Sequence, residues 1–249
     1  MTDITCGIRA YDPHELLCHA IADRLGFYAE EGLAVVLRDT TFTPDSELPT
    51  ARYFQVACGA ATVGRRAGHP WKIVFAAVDR PMFWVYGTVE DLDGARIAGY
   101  PPGSPPDLLL RKALASIEAE ITPSATDAMR LGLVRAGAVG AAVLSSAAHP
   151  PTDLERLLFV GDVLRAVTTG IAVHERALTE EPELVAALVR AHQRALVVIH
   201  SDSDEAASAM VDVFGLPTER LDEMRGCFTR TGRPNVANDP ELFDFSLIP

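Results

Sequence analysis

Two side chains stand where chemistry is available to them. His14 falls in the first turn of a helix that follows an apolar stretch, Ile4 to Arg9. An imidazole there titrates near neutral pH and can hydrogen-bond a ligand or serve as a general acid or base. Cys58 stands just before Gly59-Ala60-Ala61, which opens a second helix. A helix dipole lowers a thiol pKa, so Cys58 is a candidate nucleophile; as a small residue it also allows a ligand to approach closely. The run His14-Glu15-Leu16-Leu17-Cys18-His19 comes close to a zinc-protease helix. That motif needs histidines at i and i+4, and here i+4 is Cys18, with His19 turned roughly 100° further round. Cys18 reads as a core thiol, and no metal is expected.

These residues need elements to hold them. Asp12 is a candidate N-cap, Pro13 suits the first helical position, and Glu15 stands three after Asp12 as in a capping box. Leu16, Leu17, Ala20, Ile21 and Leu25 recur at helical spacing, Gly26 ends the helix, and Ala34 to Leu37 resumes a strand. A strand feeding a capped helix leaves backbone N–H groups and a positive dipole end at the strand's carboxyl edge, which suits a carboxylate or sulfonate. Tyr11 to His14 is therefore read as one wall of a binding cleft.

The rest of the chain repeats the design. Asp39 to Pro49 is a polar loop, Tyr53 to Ala57 a strand, Gly59 to Arg66 a helix, and Trp71 to Ala77 a strand. Met82 to Gly87 is an aromatic strand whose Phe83, Trp84 and Tyr86 could stack on a planar ligand or simply pack. Then the pattern restarts: a strand at Ala95 to Ala98, a helix from Pro105 to about Glu120 with Ser104 as its cap, and a helix over Thr126 to Arg135. A strand over Gly140 to Leu144 ends in Ser145-Ser146, Leu157 to Val160 is a short strand, and Arg165 to Val173 crosses back with hydroxyls at Thr168 and Thr169. Helices over Pro182 to Ile199, Ser203 to Phe214 and Pro217 to Thr229 follow, and Gly232 to Pro249 looks irregular. Alternating βα units imply parallel sheets with ligands at the carboxyl edges of the strands. Two such lobes joined by two hinge crossings make an α/β clamp, with residues 1–86 and 173–249 in one lobe and 87–172 in the other.

Composition sets limits. The 249 residues are 48% hydrophobic and 22% charged, an ordinary globular balance with enough chain for a core. A net charge of −12 argues against nucleic-acid or anionic-membrane partners. No apolar run approaches the roughly 20 residues of a membrane span, and no basic and apolar leader precedes the first strand. The expected location is cytoplasmic, or periplasmic or surface-anchored if a leader has been removed. Cys6, Cys18, Cys58 and Cys227 show no paired spacing, as suits free thiols. No Ser-His-Asp order, P-loop or dinucleotide fingerprint is present, and no cofactor is expected.

Several phrases resemble the type II periplasmic-binding-protein fold, in the branch of nitrate-, sulfonate- and taurine-binding proteins and pyrimidine-precursor synthases. They are ADRLGFYAEEGLAVVL, ACGAATVGRRAG, VEDLDGARIAGYPPGSPPDLLLRKAL, and the C-terminal stretch from ALTEEPELVAALVRAHQ to VDVFGLP. The resemblance implies ligand groups at Tyr11, Asp12 and His14, at Thr40 and Thr41, and at Cys58, Gly59 and Ala60. In the second lobe it implies Gly103-Ser104 and Ser145-Ser146, with Phe83 and Trp84 from the hinge strand. The chain departs from the family in lacking an export signal and the synthases' cysteine cluster. The expected function is a small-molecule-binding protein holding a small organic acid or aromatic between its lobes, with an ABC permease as partner only if an export signal was removed. The alternative is a cofactor-independent lyase, of decarboxylase or dehydratase type, acting on a small aromatic or cyclic acid with His14 as acid/base; enzymes sharing the fold motivate it.

Overall fold

The strands Thr2–Ile8, Tyr53–Ala57 and Arg96–Gly99 each lead into a helix start, as the sequence pattern requires. The computed structural model describes residues 1–48, 52–201 and 204–234. In chain order the first elements are β1 (Thr2–Ile8), α1 (Pro13–Arg24), α2 (Phe27–Glu30), β2 (Leu33–Asp39), β3 (Tyr53–Ala57), α3 (Cys58–Arg66) and β4 (Trp71–Val78). Next come β5 (Trp84–Gly87), β6 (Arg96–Gly99), α4 (Pro105–Ala113), β7 (Glu120–Pro123), α5 (Asp127–Arg135), β8 (Ala141–Leu144), β9 (Glu155–Phe159) and α6 (Val160–Val163). The last are β10 (Thr169–His174), α7 (Ala177–Glu180), α8 (Pro182–His200), α9 (Asp204–Phe214), α10 (Thr218–Arg225) and β11 (Phe228–Pro234).

The described residues divide into two units, Met1–Asp79 with residues 166–234, and Arg80–Arg165. Among the described residues the chain passes between them twice. Both divisions fall earlier than residues 86/87 and 172/173, because β5 pairs with β8 and β9 in the second unit, while β10 pairs with β3 and β4 in the first.

The first unit's sheet runs β11-β4-β10-β3-β1-β2 among the described residues. β1, β2 and β3 are parallel, so their carboxyl ends share one edge; β10 is antiparallel to β3, so its beginning reaches that same edge. β3 (YFQVA) is buried along its whole length, as expected of an inner strand covered on both faces. Alternation sends Phe54 toward His192 of α8, while Tyr53 packs with Trp71, Ala61 and Ala172 on the face of α3.

The second unit's sheet runs β7-β6-β8-β5-β9, with β6 parallel to β7 and β8, and β5 antiparallel to β8 and β9. Its best-held polar side chain is Arg130 of α5. The guanidinium donates to the Val143 and Ser124 carbonyls, pairs with Asp127 and lies over the Tyr100 ring at 3.9 Å.

Three expected elements change. The helix from Pro105 ends at Ala113 rather than near Glu120, and Glu120–Pro123 pairs with β6 as an edge strand. The expected helix to Thr229 stops at Arg225, and the stretch from Phe228 pairs with β4 through residues read as irregular. Both strands lie at sheet edges, where pairing rather than hydrophobic periodicity decides the conformation and a proline is tolerated. Ser203 as a helix start and the tail beyond residue 234 lie outside the described residues.

Candidate functional site

The β1–α1 connection is built as its capping residues require. The Asp12 carboxylate accepts the Glu15 N–H at 2.8 Å, and Pro13 takes the first helical position. Glu15 reaches further back than a capping box demands: its Oε2 accepts the N–H groups of Arg9 at 2.6 Å and Ala10 at 2.7 Å. Two carboxylates thus organise one loop. Burial pushes the Glu15 carboxyl up to about 8, with Asp12 adding to the rise, while the Ala10 and Arg9 N–H groups and the Arg9 guanidinium oppose it. Sequence reading treated Glu15 only as a cap; its chemical interest comes from its surroundings.

His14, carried into the interior by this loop, meets Thr168 at the beginning of the return strand: Nε2 lies 2.7 Å from Oγ1. Burial lowers the imidazole to about 4, so it is neutral at physiological pH. The Thr168 carbonyl accepts the Gly59 N–H at 3.2 Å, tying the start of α3 to the same place. Cys58 is the first residue of α3, as the spacing suggested, but its thiol is fully buried, and burial followed by the Glu15 charge raises its pKa. The helix-start effect that would activate it is outweighed, because the apolar interior penalises the thiolate.

Thr40 is buried and holds the β1 and β2 ends together, its hydroxyl donating to the Ile8 carbonyl at 3.0 Å. With that hydrogen committed, Thr40 Oγ1 can only accept from Gln55 Nε2, at 3.4 Å, which fixes Gln55 Oε1 as the other end of the amide. Gln55 Oε1 and Thr169 Oγ1 are buried, and neither atom has a hydrogen-bond partner among the described residues. A glutamine in an otherwise apolar strand is the sequence signal for this position. Tyr11 and Thr41 stand at the rim. Tyr11 is 62% exposed and tilted against Phe214, while the Thr41 backbone N–H donates to Asp39 and its hydroxyl lies within hydrogen-bond distance of Asp39 and the Arg9 carbonyl. Phe42, next to Thr41, is 97% exposed.

The first unit therefore gathers Asp12, His14, Thr40, Cys58 and Gly59 at one sheet edge, joined by the Thr168 hydroxyl expected at the return crossing and by Glu15, which was expected only as a cap. At neutral pH its imidazole is uncharged and its thiol protonated, which makes it a hydrogen-bonding set with one carboxyl, Glu15, poised to titrate.

Solved structures show the same architecture. The alkanesulfonate-binding protein SsuA from Xanthomonas axonopodis pv. citri, bound to MOPS, superposes with a TM-score of 0.73 at 15% identity, covering 100% of this chain and 95% of that one. The periplasmic aliphatic sulphonate binding protein SsuA from Escherichia coli gives 0.75 at 14% identity, covering 99% and 91%. The fold is that of the type II periplasmic binding proteins. The desulfurization enzyme DSZB also shares it, with a TM-score of 0.65 at 14% identity over 98% of this chain and 90% of that one. At these identities the likeness establishes the fold alone. No protein-family model matches the chain, and no curated protein matches it.

The second unit of this fold carries the remaining candidates. Trp84 is 1% exposed and stacked on Phe159 at 5.0 Å, so it packs as a core side chain, and Phe83 meets Tyr100 edge to face. Ser104 occupies the N-cap position of α4 but does not cap: its hydroxyl donates to the Pro101 carbonyl, and Asp107 accepts the Gly103 N–H instead. Ser145 donates to Asp127 at 2.6 Å and accepts the Ala147 N–H, so both functions of its hydroxyl are engaged within the unit.

Proposed function

We propose that this chain is a solute-binding protein that holds a small organic acid or aromatic at the carboxyl edge of the first unit's sheet. The observation that carries the reading is the His14–Thr168 bond at 2.7 Å, which joins a helix start to the beginning of the returning strand where the end of β2 and the β3–α3 junction also converge. Thr169, next to Thr168, supplies a buried hydroxyl with no partner among the described residues, the kind of group a ligand satisfies. Two features speak to ligand chemistry. The start of α3 has no side-chain cap, so the dipole there is not neutralised by a carboxylate as it is at α1. Tyr11 and Phe42 offer exposed rings at the same edge. The two solved neighbours named for sulfonate binding support the binding reading, and the protonated, buried Cys58 weighs against nucleophilic catalysis.

The test is thermal unfolding of the whole chain with MOPS, benzoate and small pyrimidines. A bound ligand at a hundred times its Kd stabilises the fold by about 2.7 kcal/mol. Stabilisation by one of these compounds, weakened in Thr168→Val and His14→Ala, is the expected outcome. An unchanged Tm across the panel would reject the reading.

A further inference from the structure

The first unit contains a second polar cluster, none of whose members is among the proposed ligand contacts. His19 Nδ1 of α1 lies 3.0 Å from the Tyr28 hydroxyl of α2, and that oxygen lies 2.6 Å from His192 Nε2 of α8. Three helices meet through one phenol. The rings of Phe54 and Phe75 stand nearly perpendicular to the His192 ring, and His192 Nδ1 is buried with no hydrogen-bond partner among the described residues.

Counting hydrogens fixes the direction of this chain. A phenol carries one hydrogen and a neutral imidazole one N–H. If His192 accepted at Nε2, its own N–H would sit on Nδ1, unpaired among aromatic rings. Orphaned buried donors are rarer than under-used acceptors. His192 Nε2–H therefore donates to Tyr28, Nδ1 is left bare, and Tyr28 donates its hydrogen to His19 Nδ1. The His19 hydrogen is then on Nε2.

We infer that the chain His192–Tyr28–His19 is an acid-sensitive clasp holding α8 against α1 and α2. Protonation places a hydrogen on His19 Nδ1, the one nitrogen that must remain an acceptor. Two N–H groups then point at the Tyr28 oxygen, and the phenol hydrogen loses its acceptor inside the core. A single proton thus reverses one link and frustrates the rest. The proton enters at His19, the least buried of the three, where Asp23 one turn on favours the charged ring.

The surroundings otherwise oppose charge. Burial lowers His19 to about 4 and His192 to about 3, the latter also disfavoured by His19. Cys6 of β1 and Cys18 of α1 face Tyr28 as thiols that burial keeps protonated. From β3 and β4, Phe54 and Phe75 make ring contacts with His192. Besides Asp23, charged groups of the neighbouring helices form the pairs Arg190–Glu31 and Arg194–Glu30 between α8 and α2, and Arg24–Asp212 between α1 and α9.

The experiment is thermal unfolding of the full chain between about pH 8 and pH 4.5, beside His19→Asn. Asparagine offers an acceptor where Nδ1 lies and takes up no proton. The wild-type Tm is expected to fall as pH drops below the ordinary histidine value of 6.5, and that of His19→Asn to fall less. Equal falls overturn the clasp. If the variant folds poorly, imidazole ¹⁵N shifts of the wild type decide: a hydrogen on Nε2 and a bare Nδ1 at His192 support the chain, and a hydrogen on His192 Nδ1 overturns it.

Discussion

The imidazole of His14 and the hydroxyl of Thr168 meet at 2.7 Å although 154 positions separate them. One belongs to the first helix, and the other stands just before β10, where the chain returns from the second unit. The contact is a consequence of β10 inserting between β3 and β4, which brings its first residues beside the β1–α1 loop. Thr168→Val keeps the shape of the side chain and removes its hydroxyl. It is expected to lower stability by about 1–3 kcal/mol, as deletion of one partner of a buried hydrogen bond does. Urea unfolding measures this, and a loss below about 0.5 kcal/mol would mean that His14 does not depend on the bond.

Glu15 and His14 are expected to tilt the pH dependence of stability in opposite directions. Glu15 is raised to about 8, so it binds a proton more tightly folded than unfolded; its contribution is present at low pH and fades as pH rises from about 4.5 through 8. His14 is lowered to about 4, so its contribution is present above 6.5 and fades as pH falls toward 4. Glu15→Gln should therefore flatten the Tm–pH curve between about pH 6.5 and 8, where Glu15 acts without His14, and steepen the loss of stability between 6.5 and 4.5, where it no longer opposes His14. A variant with an unchanged alkaline slope would remove Glu15 from this account.

Close backbone approach makes Gly170 less replaceable than Gly26. A methyl on Gly170 would overlap the Phe75 carbonyl, which is fixed in the neighbouring strand, whereas one on Gly26 meets nothing within 4 Å but occupies a φ of +73°. Gly26→Ala is expected to cost about 1 kcal/mol from the left-handed conformation. Gly170→Ala should cost more, about 2–3 kcal/mol, as overpacking does. The order of the two denaturation midpoints checks the claim.

The thiols should be slow to react. Cys6, Cys18, Cys58 and Cys227 are all buried. Iodoacetamide at pH 8 is expected to leave the native protein largely unmodified and to label four sites after unfolding in guanidinium, read by intact mass. Rapid native labelling at Cys58 would restore it as an exposed nucleophile.

Arg130 is expected to carry much of the second unit's order. Arg130→Met removes two donations to carbonyls, the pairing with Asp127 and the stack on Tyr100. Loss of one partner of a buried ion pair costs about 3–5 kcal/mol, and the upper end is not expected here because Ser145 still donates to Asp127. Chemical denaturation provides the measurement.

Much of this protein is local and was therefore written in the chain. Asp12 caps α1 and Pro13 starts it because a cap needs only residues three positions apart. The apolar run Tyr53–Ala57 is an inner strand because nothing in it tolerates water except Gln55, and that exception marks the site. What tertiary structure decided is whatever depends on distant segments. The edge strands at Glu120–Pro123 and Phe228–Pro234 exist by pairing with a neighbour, not by their own periodicity. Cys58 is at a helix start as its glycine neighbour suggested, yet burial and Glu15 reverse the effect on its thiol. Glu15, His14 and Thr168 acquire their chemistry from desolvation and from each other's company, and those arise only when strands far apart in sequence close over them.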